Sequence, residues 1–338
     1  MPRNRRLELP GSIYHVIVRG IERRIIFKDE NDRTEFIRRF SEALKKMSCK
    51  CHGWVLMPNH FHLVMQTGHT PLSDLMRKVL TGYAIYFNHR HKRSGYLYQN
   101  RYKSILCQED TYLLELVRYV HLNPLRAGIV RDIEHLNRYR WSGHSVLIGK
   151  NKADFQTTDE VLGRFGNKRG EAIQRYIEFI RDGQKMGRRD DLMGGGLRRS
   201  AGGWSGVYDL MRSKEYWRGD DRILGDGNFV DEVLKISDEA LERKEKLQRE
   251  GWDIARLVKK VCAEMGIPEE SIKKRGKGNS ISHARNLVAY LASKELGISG
   301  SDLAKYFRIG RSSMSEAIAR GEKIQREKGI TVLPNSVP

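Results

Sequence analysis

Residues 51–66, CHGWVLMPNHFHLVMQ, constrain the fold more than any other stretch. Two strand-like runs, 51–57 and 61–66, flank Pro58-Asn59, a pair suited to a tight turn. The pattern is that of a hairpin adding two antiparallel strands to a sheet. In a strand, residues i and i+2 share a face, so His60 and His62 stand side by side while Phe61 faces the other way. Two imidazoles on a rigid strand suit a metal ion. They equally suit a pair of ordinary hydrogen-bonded polar residues, and the remaining sequence has to decide.

Around the hairpin the periods alternate between two and 3.6 residues. Residues 12–19 alternate as a half-buried strand. Residues 30–48 place Phe36, Ile37, Phe40, Ala43, Leu44 and Met47 at helical spacing, and 71–92 repeat the pattern with Leu72, Leu75, Met76, Val79, Leu80 and Tyr83. A short strand is expected near 102–107. A helix over DTYLLELVRYVHLNP follows, with Asp110 positioned to cap it and Pro124 to stop it. Strand, helix, strand, strand, helix, strand, helix is an α+β order built on an antiparallel sheet. This first domain is expected to span 1–150. A helical connector and a Gly/Arg-rich stretch, 187–206, fill 151–227; the latter reads as a flexible linker or as an ordered surface loop. A helical domain occupies 228–338.

The last helix of the first domain offers partners for the histidines. Tyr112, Tyr119 and Asn123 lie near one face of it. An amide oxygen from Asn123 suits a hard divalent ion. An ion held by two imidazoles and an amide keeps positions open for phosphate oxygens, where it acts as a Lewis acid. A tyrosine could then attack. Free tyrosine, with a pKa of about 10, is only about one part in a thousand ionised at pH 7, so it needs a polarised phosphate or a base. Spacing alone does not choose between Tyr112 and Tyr119.

Charge narrows the partner. Lys+Arg 62 against Asp+Glu 42 gives +20, which favours a polyanion, nucleic acid first. No apolar run is long enough to span a membrane, and the basic N-terminus lacks the apolar core of a secretory signal. The four cysteines, Cys49, Cys51, Cys107 and Cys262, form neither a zinc motif nor a disulfide framework, as suits a reducing cytoplasm.

Four segments taken together, YHVIVRGIERRIIF, HGWVLMPNHFHLVM, GYLYQNRYKS and YVHLNPLRAGIV, resemble the single-tyrosine HUH transposases, and among them the REP-associated tyrosine transposases. The resemblance covers roughly residues 5–150. It implies a ferredoxin-like antiparallel sheet with helices. It implies His60 and His62 as metal ligands, Asn123 as the polar residue completing the site, and Tyr119 as nucleophile. It further implies Mg2+ or Mn2+ as cofactor, and single-stranded DNA, often beside a hairpin, as substrate. The implied cleavage leaves a 5′-phosphotyrosine and a 3′-hydroxyl, at the nucleoid of a bacterial cytoplasm. Arg3, Arg5, Arg6, Arg19, Arg23, Arg24, Arg101 and Lys103 could track phosphates, with Tyr96, Tyr98 and Tyr102 stacking unpaired bases. The monomer and the homodimer both fit.

Residues 299–318, SGSDLAKYFRIGRSSMSEAI, have helix-turn-helix spacing, and Arg311, Ser312 and Ser313 open the second helix where they could reach duplex DNA. With the basic loop upstream, the stretch resembles the C-terminal DNA-binding domain of the replication initiator DnaA. Lys273, Lys274, Arg275 and Lys277 match its loop, and Arg285 lies at the start of the next helix. GRSSMSEAI departs from the initiator's recognition segment, so a different DNA preference is expected. Two other readings remain beside a strand transferase: a non-catalytic DNA-binding regulator retaining the fold, and a nicking enzyme of plasmid or phage replication.

Overall fold

Strand β1 (Ile13–Arg19) is buried on both of its faces up to Arg19, which is partly exposed. Tyr14, Val16 and Val18 enter one hydrophobic core and Ile13 enters another. A strand covered on both sides has to run through the middle of a three-layer structure. This is its place in the computed structural model, which describes residues 6–68, 70–186, 192, 220–273, 279–328, 330 and 332–334, less the side chains of 110, 111, 279, 311, 312 and 328.

Among the described residues the sheet has five strands in the order β2-β3-β1-β4-β5. β2 (Lys50–Met57) and β3 (His60–Gln66) form the hairpin, with Met57 opposite His60. β3 and β4 (Lys103–Cys107) flank β1, and all of these pairings are antiparallel. With α1 (Glu30–Met47) and α2 (Leu72–Arg90) this is the βαββαβ arrangement of ferredoxin-like domains. The two-residue β5 (Ile223–Leu224) adds a parallel partner to β4, and no periodic pattern in the sequence announces it.

α1 starts where the Asp29 carboxylate accepts from the Asp32 N–H. It packs with α2 on one face of the sheet, where the Phe61 and Phe36 rings are 4.6 Å apart and Tyr83 donates its hydroxyl to the Ile26 carbonyl. The opposite face receives α3 (Glu109–His121), through Leu113, Leu116, Val117 and Val120. α5 (Ile133–Arg138), α6 (Gly143–Leu147), α7 (Asp159–Leu162) and α8 (Arg169–Lys185) join that layer, and Tyr176 and Ile180 of α8 are fully buried in it. The outer edge of β2 is covered: Leu56 N–H donates to the Trp141 carbonyl and Thr157 N–H to Cys51.

Two details of α3 depart from expectation. Its cap position falls at Gln108, which leaves Asp110 within the first turn. Pro124 does not end the helical path either. It opens α4 (Asn123–Arg126), where a first-turn residue has no hydrogen bond to lose from its missing N–H.

Contacts divide the chain into two units, 1–234 and 235–338, so the helices of the expected connector 151–227 lie within the first unit. The second is helical. Asn279–Lys294 packs closely on Arg311–Lys328, and a Cβ at Gly321 would meet the Asn286 carbonyl, so the helix crossing requires glycine there. Gly300–Tyr306 and Arg311–Lys328 are joined by a short turn in which Arg308 has φ +53°.

Candidate active site

The register of β1 against β3 pairs Arg19 with His60 and Ile17 with His62, so one sheet face presents Arg19, His60, His62 and, further along β1, His15. α3 covers this same face. The ring of Tyr119, 8% exposed, is 6.1 Å from that of His62 and 5.8 Å from that of His15. Tyr112 sits two helical turns away, about 10 Å along α3. The hydroxyl-bearing ring that meets the imidazoles is therefore that of Tyr119.

The histidines have defined second partners. His60 Nδ1 lies 2.6 Å from Asn59 Oδ1, and His62 Nδ1 lies 3.0 Å from His15 Nε2. With both Nδ1 atoms occupied, the two Nε2 atoms are the donors a cation would use. The rings of His60 and His62 are 5.2 Å apart, edge to face. Burial, reinforced by the Arg19 cation, pushes His60 down to about 4. Burial, then the neighbouring His15, His60 and Arg19, pushes His62 well below the ordinary histidine range. Both therefore stay neutral near pH 7, the state in which imidazole binds a metal.

Asn123 turns its Nδ2 back to the helix, 2.9 Å from the Tyr119 carbonyl and 3.3 Å from that of Val120. This leaves the Oδ1 end as the one able to meet a cation. Among the described residues no three His, Cys, Asp or Glu side chains gather as a metal site. Two imidazoles, an amide oxygen and open positions form a donor set that fits Mg2+ or Mn2+.

The hairpin tip braces the site. Gly20 N–H donates to the Asn59 carbonyl, Ile26 N–H to Pro58, and Asn59 Nδ2 to Arg23. A Cβ at Gly20 would strike the Arg24 carbonyl, so this return of the chain demands glycine. Behind Tyr119, His121 Nδ1 is 2.8 Å from the Tyr176 hydroxyl, which is 2.9 Å from His144 Nδ1; His144 Nε2 reaches Asn137 Oδ1 at 2.8 Å. This buried chain ties the end of α3 to α5, α6 and α8.

Sequence reasoning missed His15, Arg126 and this network. His15 looks like a filler in an apolar strand, yet its parity matches that of Arg19. Arg126 sits in the short helix after Pro124, its guanidinium 5.3 Å over the Tyr119 ring.

The basic and aromatic candidates separate by exposure. Arg19 is partly buried beside His60, whereas Arg23, Arg24, Arg101 and Lys103 are exposed. Arg24 pairs with Glu22 at 2.7 Å. Arg6 lies 3.8 Å over the Tyr102 ring, which makes Tyr102 a packing residue. Tyr96 is 84% exposed and, with Ile85 at 66%, lines a groove of about 960 Å³ that also takes in Arg6 and Arg101. The groove adjoins the site: Gln99 N–H donates to the Arg19 carbonyl, and Ile21 N–H to Leu97. In the second unit Lys273 lies 4.2 Å over the Tyr306 ring, Arg285 Nε donates to the Ile272 carbonyl, and Ser313 is exposed. Arg3, Arg5, Lys274, Arg275, Lys277 and the side chains of Arg311 and Ser312 lie outside the described residues, as does the 187–206 segment apart from Leu192. Among the described residues no helix is long and apolar enough to cross a membrane.

Comparison with known proteins gives one family. Residues 9–123 match the model of the family described as "Transposase IS200 like". No curated protein matches the chain. A solved structure described as "Structure of the REP associates tyrosine transposase bound to a REP hairpin" is similar at 17% identity and a TM-score of 0.38, over 47% of this chain and 90% of that one. The family match begins before β1 and ends at Asn123, so it takes in the histidine couple, Tyr119 and the neighbouring amide.

Proposed function

We propose that the protein is a metal-dependent transposase that cuts and rejoins single-stranded DNA beside hairpin sequences through a covalent tyrosine intermediate. The observation that carries this reading is that His60 and His62 share one sheet face and Tyr119 of the covering helix α3 meets them there, with the Tyr119 and His62 rings 6.1 Å apart.

His60 Nε2, His62 Nε2 and Asn123 Oδ1 would hold a Mg2+ or Mn2+ ion, which supplies Lewis-acid polarisation of the scissile phosphate. Tyr119 releases its hydroxyl proton to solvent as its oxygen forms the new bond to phosphorus, and the bond from phosphorus to the 3′ oxygen breaks. The leaving oxygen takes up a proton and becomes the 3′-hydroxyl, while the 5′ fragment stays on Tyr119. The phosphotyrosine conserves the energy of the broken ester, so a DNA hydroxyl can later displace the tyrosine. Arg19 and Arg126 supply positive charge at the site for the phosphate. The groove under Tyr96 receives unpaired bases. The helix pair Gly300–Tyr306 and Arg311–Lys328 binds duplex DNA.

Incubation with a labelled single-stranded hairpin library and Mn2+ tests the reading. A denaturant-resistant adduct is expected from the wild type and from Tyr112→Phe, and none from Tyr119→Phe, with unchanged melting. His60→Ala and His62→Ala are each expected to abolish cleavage. Full activity of the double histidine variant in chelator would defeat the metal assignment.

A further inference from the structure

We propose that His15 is a positioning residue that holds His62 in the one tautomer able to bind a cation. This deepens the reading above and rests on it. The two rings are 5.2 Å apart and nearly parallel, and His15 Nε2 lies 3.0 Å from His62 Nδ1. Both side chains are buried. A single proton lies between the two nitrogens. If His15 donated it, the His62 proton would sit on Nε2, and that atom would have no lone pair for a metal. If His62 donates it, Nε2 is bare and His15 carries its own proton on Nδ1. Only the second state serves the proposed site.

The geometry also separates this role from that of a third ligand. His15 Nε2 is committed to His62. His60 has its own anchor of the ordinary kind, with Nδ1 on the Asn59 side-chain oxygen. Each member of the couple thus has an acceptor at Nδ1: an amide oxygen for His60, an imidazole for His62. Loss of such an outer partner typically weakens metal binding about 10–100-fold.

The test uses the full chain with three readouts. In metal-free protein carrying 15N-histidine, NMR reads the His62 tautomer directly. Calorimetry reads Mn2+ affinity, and pulsed EPR of bound Mn2+ counts coordinated imidazole nitrogens. His15→Leu removes the acceptor. His15→Gln keeps an oxygen near the position of Nε2. The wild type and His15→Gln should show His62 protonated at Nδ1 and bind Mn2+ similarly. His15→Leu should shift His62 towards the Nε2-protonated form and bind Mn2+ about 10–100-fold more weakly, at an unchanged EPR nitrogen count. Should His15→Leu not fold, His15→Asn takes its place, since its shorter amide stops short of His62.

A wild-type His62 protonated at Nε2 would overturn the proposal, as would unaltered Mn2+ affinity in a folded His15→Leu protein. A nitrogen coupling that vanishes in His15→Gln would make His15 a ligand and overturn it as well. Failure of the wild type to bind Mn2+ at all would instead sink the metal reading, and the His62 tautomer would still decide what His15 does.

Discussion

The two faces of the sheet are built on opposite terms. The face under α1 and α2 is aromatic, with Phe27, Phe36, Phe61 and Tyr83 in ring contact. The face under α3 mixes aliphatic residues with buried imidazoles, among them His15, His62, His121 and His144, which are hydrogen-bonded to side chains. Burial of a polar group costs free energy that only a partner offsets. A domain that placed chemistry on both faces would have little left to hold it together. Here one face supplies packing, and that packing allows the other to carry neutral histidines beside a tyrosine.

Neighbouring residues of β3 test this division most severely. Phe61 and His62 are adjacent in sequence and point to opposite faces. Phe61→Ala should lower stability by about 3–5 kcal/mol, seen in urea unfolding, while any protein that remains folded still binds Mn2+. His62→Ala should abolish Mn2+ binding with a smaller loss of stability. Similar effects of the two on both readouts would break the comparison.

The network behind Tyr119 is the next point of attack. His144 Nε2 donates to Asn137 Oδ1, so its Nδ1 accepts from the Tyr176 hydroxyl, and that oxygen accepts in turn from His121 Nδ1–H. Tyr176→Phe strands two buried nitrogens at once. It should cost about 1–3 kcal/mol and slow adduct formation, because α3 loses one of its ties to α8 and keeps the contact of Arg118 with Phe179. Acid attacks the same network. Burial pushes His144 down to about 4 from a usual 6.5. Its folded value lies below its unfolded one, so its contribution is complete above pH 6.5 and fades as pH falls towards 4. Melting temperatures should therefore fall between pH 7.5 and 4.5 in the wild type, and also in Tyr176→Phe, since His144 stays buried there.

These residues were unequally legible in the sequence. The four-strand core, α1 and α2 followed from two periodicities and one turn, since hydrophobic patterning is local information. His60 and His62 were legible as neighbours on one strand face, whereas spacing left Tyr112 and Tyr119 equal and only the family resemblance singled out Tyr119 and Asn123. His15, Arg126 and Tyr176 were not. Each acquires its role only from strand register or from helix packing over long separations, such as the 47 residues between His15 and His62. β5 was hidden for a different reason: two residues are too few to carry a period. The exposure of Tyr96 against the burial of Tyr102 could not be read either, because both sit among the same basic residues and only the stacking of Arg6 on Tyr102 separates them.

That separation yields the smallest predicted effect. Tyr96 and Tyr102 both line the groove with Arg101, but Tyr96 is exposed whereas Tyr102 is buried under Arg6. A stacked base contributes about 1–3 kcal/mol by alanine substitution, and an exposed ring at the groove's rim belongs at the lower end. Tyr96→Ala should therefore weaken single-stranded DNA binding roughly fivefold, since about 1.4 kcal/mol is a factor of ten, with melting unchanged. Tyr102→Ala should instead lower the melting temperature, since its ring is part of the aromatic face and its loss also unseats Arg6. Fluorescence anisotropy with an unpaired oligonucleotide, run beside thermal melts of both variants, distinguishes them. If Tyr102→Ala lost only DNA affinity, and Tyr96→Ala only stability, the groove would have been assigned to the wrong ring.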